Sequence, residues 1–234
     1  MSLGSARTQI SGPEELPHEY RKYVPGRVSE FTAWASGRCN LRCKYCFVYK
    51  IYPQQPSSDM SQDVVEALVE FAVKWGTKPA GIWWFGGEPL VAWDNVIVYA
   101  VEYAESRGYR IGRDPSCDVR FGLTTNATLL DEDKVKFLSK YNFGILLSID
   151  GVKEKHDMFR VYADGRGSWD DAWKGLQYVR KYISRNPQIR WTVGPSTVKG
   201  LPEDIKWFVQ QGLTNLAIDW VCLLYTSPSP RDLS

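Results

Sequence analysis

Strand-like and helix-like segments alternate along almost the whole of this chain, and that alternation confines it to folds built on a parallel sheet. The strand-like runs are Val28–Ala35, Ala80–Phe85, Val119–Thr125, Phe143–Ile149, Ile189–Val193 and Leu216–Val221. Between them lie Ser61–Trp75, Asp94–Arg107, Asp131–Lys140, a segment from Ser168 to about Tyr182, and Pro202–Gln211. In the first of these, Val64, Val65, Leu68, Val69, Ala72 and Trp75 recur at helical spacing, and Gly76 is placed to cap the end. Ser168-Trp169-Asp170-Asp171 predicts a capping box in which Asp171 replaces the usual Glu or Gln. Pro202 suits a first helical turn, and Gly212 follows that helix. Six strands and five helices in alternation predict an α/β fold whose parallel strands are joined by right-handed crossovers. At 234 residues one domain is the natural expectation. Chemistry in barrels of this kind sits at the C-terminal ends of the strands, so the segments following each strand carry the functional reading.

The segment after the first strand reads Gly37-Arg38-Cys39-Asn40-Leu41-Arg42-Cys43-Lys44-Tyr45-Cys46-Phe47. Cys39, Cys43 and Cys46 are spaced C-x3-C-x2-C, enough thiolates to hold three irons of a [4Fe–4S] cube. The fourth iron then lacks a protein ligand and is open to chemistry. A structural zinc site needs a fourth ligand, usually from a second pair. His18, His156, Cys117 and Cys222 are the remaining donors, and none lies in a paired motif. An electron-carrying ferredoxin needs a fourth nearby Cys. Disulfides fit poorly with five cysteines and no signal-type apolar core at the N-terminus.

This triad resembles the signature of the radical S-adenosylmethionine (SAM) superfamily. The six units then correspond to that family's partial (β/α)6 barrel of parallel strands, over about Val28 to Val221. The resemblance implies a [4Fe–4S] cluster on Cys39, Cys43 and Cys46, with SAM completing the fourth iron. One electron then splits SAM into methionine and a 5′-deoxyadenosyl radical, which abstracts hydrogen from a substrate. It also implies a flavodoxin- or ferredoxin-type electron donor. By the same resemblance Tyr45, just before the third Cys, lies against adenine; packing of the loop is its other reading. Gly86-Gly87-Glu88-Pro89 follows the second strand, where two glycines admit close backbone approach and carbonyls can accept from an ammonium group. It matches the family's GGEP motif for the methionine amino group. Glu88 is either a ligand to that group or a structural cap. Thr124-Thr125-Asn126 ends the third strand; its short hydroxyl and amide side chains suit ribose or methionine polar groups of SAM, and for Asn126 an Asx turn is the other reading. Asn40 and Arg42 either bond sulfurs, fix the loop or are solvated.

Ser148-Ile149-Asp150-Gly151 ends the fourth strand, and His156-Asp157-Met158-Phe159-Arg160 follows, then Gly167-Ser168-Trp169-Asp170. This pattern resembles the branch of anaerobic sulfatase-maturating enzymes and peptide maturases. It implies that Ser148 contacts the ribose or adenosyl part and that Arg160 pairs with the SAM carboxylate, a role suited to a planar guanidinium. Asp150 either positions SAM or caps the turn. His156 and Asp157 read as supporting residues, and Cys117 as a structural thiol at the opposite end of the barrel. The implied substrate is a residue of a protein or peptide. A radical SAM enzyme for a small molecule is the alternative. An iron–sulfur electron relay or redox sensor is a reading of another class, separable because it would not consume SAM.

Lys plus Arg number 29 and Asp plus Glu 27, a net charge of +2 that gives no case for a nucleic-acid partner. No apolar run approaches a membrane span. The expected location is therefore the reducing cytoplasm. Residues 1–27 read as an N-terminal extension. Cys222–Asp232 resembles the translation of an adapter used in DNA library preparation, so residues 222–234 are expected to be a non-native tail; a natural Pro/Ser-rich tail is the alternative. Members of the branch carry auxiliary clusters in a C-terminal Cys-rich domain, which this sequence lacks.

Overall fold

The computed structural model describes residues 28–46, 48 and 58–221; the expected extension and tail lie outside them. Six strands run β1 (Val28–Ser36), β2 (Gly76–Gly86), β3 (Val119–Thr125), β4 (Gly144–Ser148), β5 (Gln188–Val193) and β6 (Leu216–Trp220). They form one sheet in sequential order, and every neighbouring pair is parallel. β1 and β6 are its two edges, so the sheet is an open, partial barrel of six units, as expected. The crossovers carry α1 (Gln62–Trp75), α2 (Tyr99–Ser106), α3 (Glu132–Lys140), α4 (Lys153–Phe159), α5 (Trp169–Tyr182) and α6 (Leu201–Gln210).

The period-two alternation of strand side chains divides the sheet into two faces. Outward residues such as Ala80, Ile82 and Trp84 on β2, Val119, Phe121 and Leu123 on β3, and Ile189, Trp191 and Val193 on β5 are buried. They meet helix stripes at i, i+4 and i+7, such as Val65, Val69 and Ala72 on α1 and Ala172, Leu176 and Val179 on α5. Each large aliphatic or aromatic side chain buried this way stabilises the fold by about 1.5–3 kcal/mol. Trp84, Phe121 and Phe143 stack in series, Phe143 meets Phe137 of α3, and Trp191 packs on Phe208 of α6.

Three local expectations change and one is refined. Gly76 caps α1 as expected, its N–H donating to the Ala72 carbonyl, but in an extended conformation (φ −83°, ψ 171°) that also opens β2. Glycine is required there because a methyl would lie 2.6 Å from both the Ala72 carbonyl oxygen and Ala80 Cβ. The segment expected to be a helix from Asp94 begins as a 3-10 turn at Pro89–Ala92, passes through a π-helical stretch at Trp93–Val98, and only then becomes α2. α4 was not expected. The capping box at Ser168 does not form: Ser168 Oγ donates to the Arg160 carbonyl, and Asp171 accepts from the Tyr162 hydroxyl. The amide of Trp169 is satisfied instead by Asp157 Oδ1, at 2.8 Å.

Gly175 in the middle of α5 faces the loop after β3. A methyl there would lie 2.1 Å from the Ala127 carbonyl oxygen and 3.2 Å from Leu130 Cβ. Helix propensity alone favours Ala over Gly by about 1 kcal/mol. The close approach reverses that sign, and Gly175→Ala is expected to destabilise the protein by about 1–3 kcal/mol in urea unfolding. A stabilised variant would show that α5 can move away from β3.

Candidate functional site

The C-terminal ends of the strands surround a cavity of about 310 Å³. Cys39, Cys43, Cys46 and Tyr45 line it from the loop after β1. Gly86, Gly87 and Glu88 contribute from β2, Asn126 from β3, Ser148 from β4, and Arg160 from beyond α4. Asp150 does not line it. It is 2% exposed and lies behind Tyr45 and Arg160.

Backbone pairing fixes the Cys loop at both ends. Gly87 N–H donates to the Ser36 carbonyl and Glu88 N–H to the Arg38 carbonyl, each at 2.9 Å. A Cβ at Gly87 would lie 2.2 Å from the Arg38 carbonyl oxygen, and Gly86 holds φ +117° beside Ser36. The two glycines therefore let the turn after β2 press against the start of the Cys loop. Further along, Arg42 N–H donates to the Val161 carbonyl (2.7 Å) and Lys44 N–H to the Phe159 carbonyl (2.9 Å). Cys43 thus sits opposite Arg160. Between these contacts Asn40 Nδ2 donates to Thr128 Oγ1, and Asn126 Nδ2 donates to Asn40 Oδ1. Asn126 Nδ2 also lies 3.9 Å from Cys39 Sγ. Its Oδ1 accepts from Thr128 N–H, so the Asx turn is present as well. Asn40 fixes the loop, and Arg42 Nη1 donates to the Cys39 and Leu41 carbonyls.

Glu88 is 1% exposed. Its carboxylate accepts from Leu90 N–H, Asn126 N–H and Thr125 Oγ1, joining the ends of β2 and β3. Burial pushes its carboxyl up, opposed by these three donors. The cap is therefore formed within the protein.

Arg160, Tyr45 and Asp150 form a second buried charge group. Arg160 Nη1 donates to Tyr45 Oη at 2.6 Å, Tyr45 Oη donates to Asp150 Oδ2, and Asp150 Oδ1 accepts from Thr192 N–H. The guanidinium lies 3.7 Å from the carboxylate. Burial pushes Asp150 up, with Arg160 opposing it most. Removing one partner of such a pair costs about 3–5 kcal/mol. Arg160 Nε is buried without a partner among the described residues.

His156 closes the frame around this group. Its Nδ1 accepts from Asp150 N–H at 3.3 Å, and its Nε2 faces Ser168 Oγ at 3.0 Å. Ser168 Oγ donates its own proton to the Arg160 carbonyl, so it must accept from His156. That assigns the neutral imidazole with its proton on Nε2. Burial lowers its pKa well below the ordinary value, with Arg160 adding to the effect.

Over residues 35–208 the chain matches the sequence profile of the Radical SAM superfamily. The chain belongs to that superfamily. The radical SAM family uses a [4Fe–4S] cluster and SAM. The cysteine-type anaerobic sulfatase-maturating enzyme of Clostridium novyi is 28% identical over 181 residues, 76% of this chain and 46% of that protein. The serine-type anaerobic sulfatase-maturating enzyme of Bacteroides thetaiotaomicron is 29% identical over 149 residues, 62% of this chain and 34% of that protein. Native anSMEcpe with bound AdoMet and Cp18Cys peptide superposes with a TM-score of 0.72 at 25% identity, covering 82% of this chain and 51% of that one. The chain thus spans about half the length, or less, of these relatives.

The residues present fit both radical SAM cofactors. Among the described residues no three His, Cys, Asp or Glu side chains converge on one ion position. Three cysteines line the cavity with no His or fourth Cys beside them among the described lining residues, a donor set that suits three irons of a cube better than a four-ligand zinc site. Burial pushes the Cys39 thiol up to about 12, with the Glu88 carboxylate adding to it, and burial raises Cys43. Such thiols ionise only against a compensating cation, which iron supplies. A carboxylate-bearing ligand suits the Arg160 guanidinium in the cavity lining.

The structure adds Thr192, Arg190 and Asp219 to the cavity wall, residues the sequence reading missed. Arg190 and Asp219 form an ion pair at 3.0 Å across β5 and β6. The signal was the alternation of Gln188, Arg190 and Thr192 with Ile189, Trp191 and Val193, since a parallel strand covered on both faces reads as continuously apolar. No helix among the described residues is long and apolar enough to cross a membrane.

The neutral state of His156 has a pH consequence. A depressed folded-state pKa means the unfolded chain binds more protons below pH 6.5, so stability falls as pH falls through that value. Until the folded pKa is reached, the loss is about 1.4 kcal/mol per pH unit. Urea unfolding of wild type and His156→Gln between pH 7.5 and 5 should show this component in wild type alone. Equal slopes would place a proton on His156 in the native state.

Proposed function

We propose that this protein is a radical SAM enzyme that modifies a residue of a protein or peptide. Cys39, Cys43 and Cys46 would hold three irons of the [4Fe–4S] cluster, leaving the fourth open to SAM. When bound, cluster and SAM supply a one-electron cleavage of SAM that arms hydrogen abstraction. The observation that carries this reading is the single cavity into which the three thiols, the Gly86-Gly87 turn and the buried Arg160 all open.

The chain's own residues bind and orient. Arg160 pairs with the SAM carboxylate, held against collapse by Asp150 and Tyr45. Carbonyls of the Gly86-Gly87 turn accept from the SAM ammonium group. Ser148 contacts the ribose side, and the Tyr45 ring, fixed at its hydroxyl, offers a face to adenine. Asn126 and Glu88 brace the Cys loop and the turn. Asp150 acts from behind the wall. The apolar packing beneath the strand ends limits water around the reacting atoms.

A peptide or protein substrate is supported by the relatives, which are named for sulfatase maturation, and by the Cp18Cys peptide in a similar structure. The electron donor is a small reduced protein of the flavodoxin or ferredoxin type, and the free thiols suit a reducing cytoplasm.

Anaerobically reconstituted protein should bind about four irons and, with dithionite, convert SAM to 5′-deoxyadenosine and methionine. Cys43→Ala should lose the cluster's visible absorption and all SAM cleavage. A variant that still made 5′-deoxyadenosine would overturn the assignment. For the substrate class, a cysteine-containing sulfatase peptide should lose mass only with the wild-type protein and SAM, as read by mass spectrometry.

A further inference from the structure

One row across the inner face of the sheet is built around a single indole. Trp83 on β2 pairs with Gly122 on β3, and Gly122 pairs with Gly144 on β4. A methyl at Gly122 would lie 2.3 Å from the Trp83 ring, and one at Gly144 would lie 2.8 Å from it and 2.1 Å from Arg113 Nη2. The ring therefore fills the space that two neighbouring strands leave empty. Thr124 lies one inward step further along β3, in the cavity wall, and Trp83 Nε1–H donates to its Oγ1 at 2.9 Å. By contrast, the N–H groups of the outward-facing Trp84 and Trp191 have no partner among the described residues.

The chemistry of this pair is one-directional. An indole N–H only donates, so the Thr124 oxygen accepts, and the hydroxyl keeps a proton to give. No acceptor for that proton exists among the described residues, while Thr124 opens on the cavity. We propose that Trp83 and Thr124 form a SAM-binding element, in which Thr124 donates to an oxygen of SAM and Trp83 is the positioning residue that fixes the hydroxyl. The proposal rests on the radical SAM reading of the cavity.

The test is SAM binding by equilibrium dialysis to the reconstituted, unreduced protein, with 5′-methylthioadenosine as a second probe that keeps the ribose and lacks the carboxylate. Thr124→Val should weaken SAM binding about tenfold, as a lost hydrogen bond at a buried site does, and Thr124→Ser should restore most of it. Trp83→Phe, which keeps the ring and loses the N–H, should weaken binding in the wild-type background and have no further effect in Thr124→Val. Loss for both probes assigns the ribose oxygen, and loss for SAM alone assigns the carboxylate; either supports the element. Unchanged SAM affinity in Thr124→Val, or additive effects of the two substitutions, would overturn it. In that event wild-type SAM binding and the Cys43→Ala result would still stand, so failure here is distinct from failure of the family reading.

Discussion

The pairing of the Cys loop with the segment at 159–161 is the constraint on which the site depends. A loop with three ligands in eight residues has no regular structure of its own to hold its shape. Here the amides of Arg42 and Lys44 find the carbonyls of Val161 and Phe159, and the loop borrows order from a segment more than one hundred residues away. Two consequences follow from the same contact. The buried backbone donors of the loop are satisfied without secondary structure. Cys43 and Arg160 are brought opposite one another and cannot drift apart. The turn after β2 does the same at the loop's other end, which is why its glycines face protein as well as the cavity.

A buried guanidinium is costly, and the structure meets that cost with a closed set of partners. Asp150 supplies charge, Tyr45 relays it, and Thr192 N–H holds the carboxylate from the next strand. His156 and Ser168 tie the backbone of Asp150 to that of Arg160. The pattern S-I-D-G, H-D-x-x-R and G-S-W therefore describes one object. Asp157 belongs to it too, because its carboxylate starts α5 over Gly167, where any Cβ would lie 2.2 Å from the Asp157 carboxyl carbon. The guanidinium is thereby held rigidly, with only its buried Nε left without a partner among the described residues.

Much of this was legible in sequence, and the parts that were not share a cause. Cys39, Cys43, Cys46, the Gly86-Gly87 turn and Arg160 lie in contiguous motifs whose spacing carries meaning. The strand boundaries of β3 and the existence of the other five strands followed from apolar runs. α4 was invisible because its seven residues, Lys153–Phe159, bury only His156 and so show no apolar stripe. Ser168 looked like a helix cap because the residue type and position were right, but His156 and the Arg160 carbonyl compete for the same hydroxyl. Arg190 and Asp219 are single residues on different strands, brought together only by the register Arg190↔Ala217 and Thr192↔Asp219. No local pattern encodes that neighbourhood.

The division of each strand into an outward and an inward set explains why fold and site can be read separately. Outward residues are apolar on all the covered strands, and changing one is a matter of cavities and packing density. Inward residues are mixed: Glu30, Gly81 and Arg120 share one row, Trp83, Gly122 and Gly144 the next, and Thr124 and Leu146 the one above. In the lowest row Arg120 arches over Gly81 to reach Glu30, just as Trp83 arches over Gly122. Arg120 and Trp83 are each paired with a glycine on the neighbouring strand, so these lower rows of the lumen are filled by two large side chains. A six-stranded open sheet cannot close its interior by hydrogen bonding as an eight-stranded barrel does. Filling the lower rows with ring and guanidinium over glycine achieves the same end, and it leaves the upper row, where the thiols and Arg160 lie, as the place where a ligand can enter.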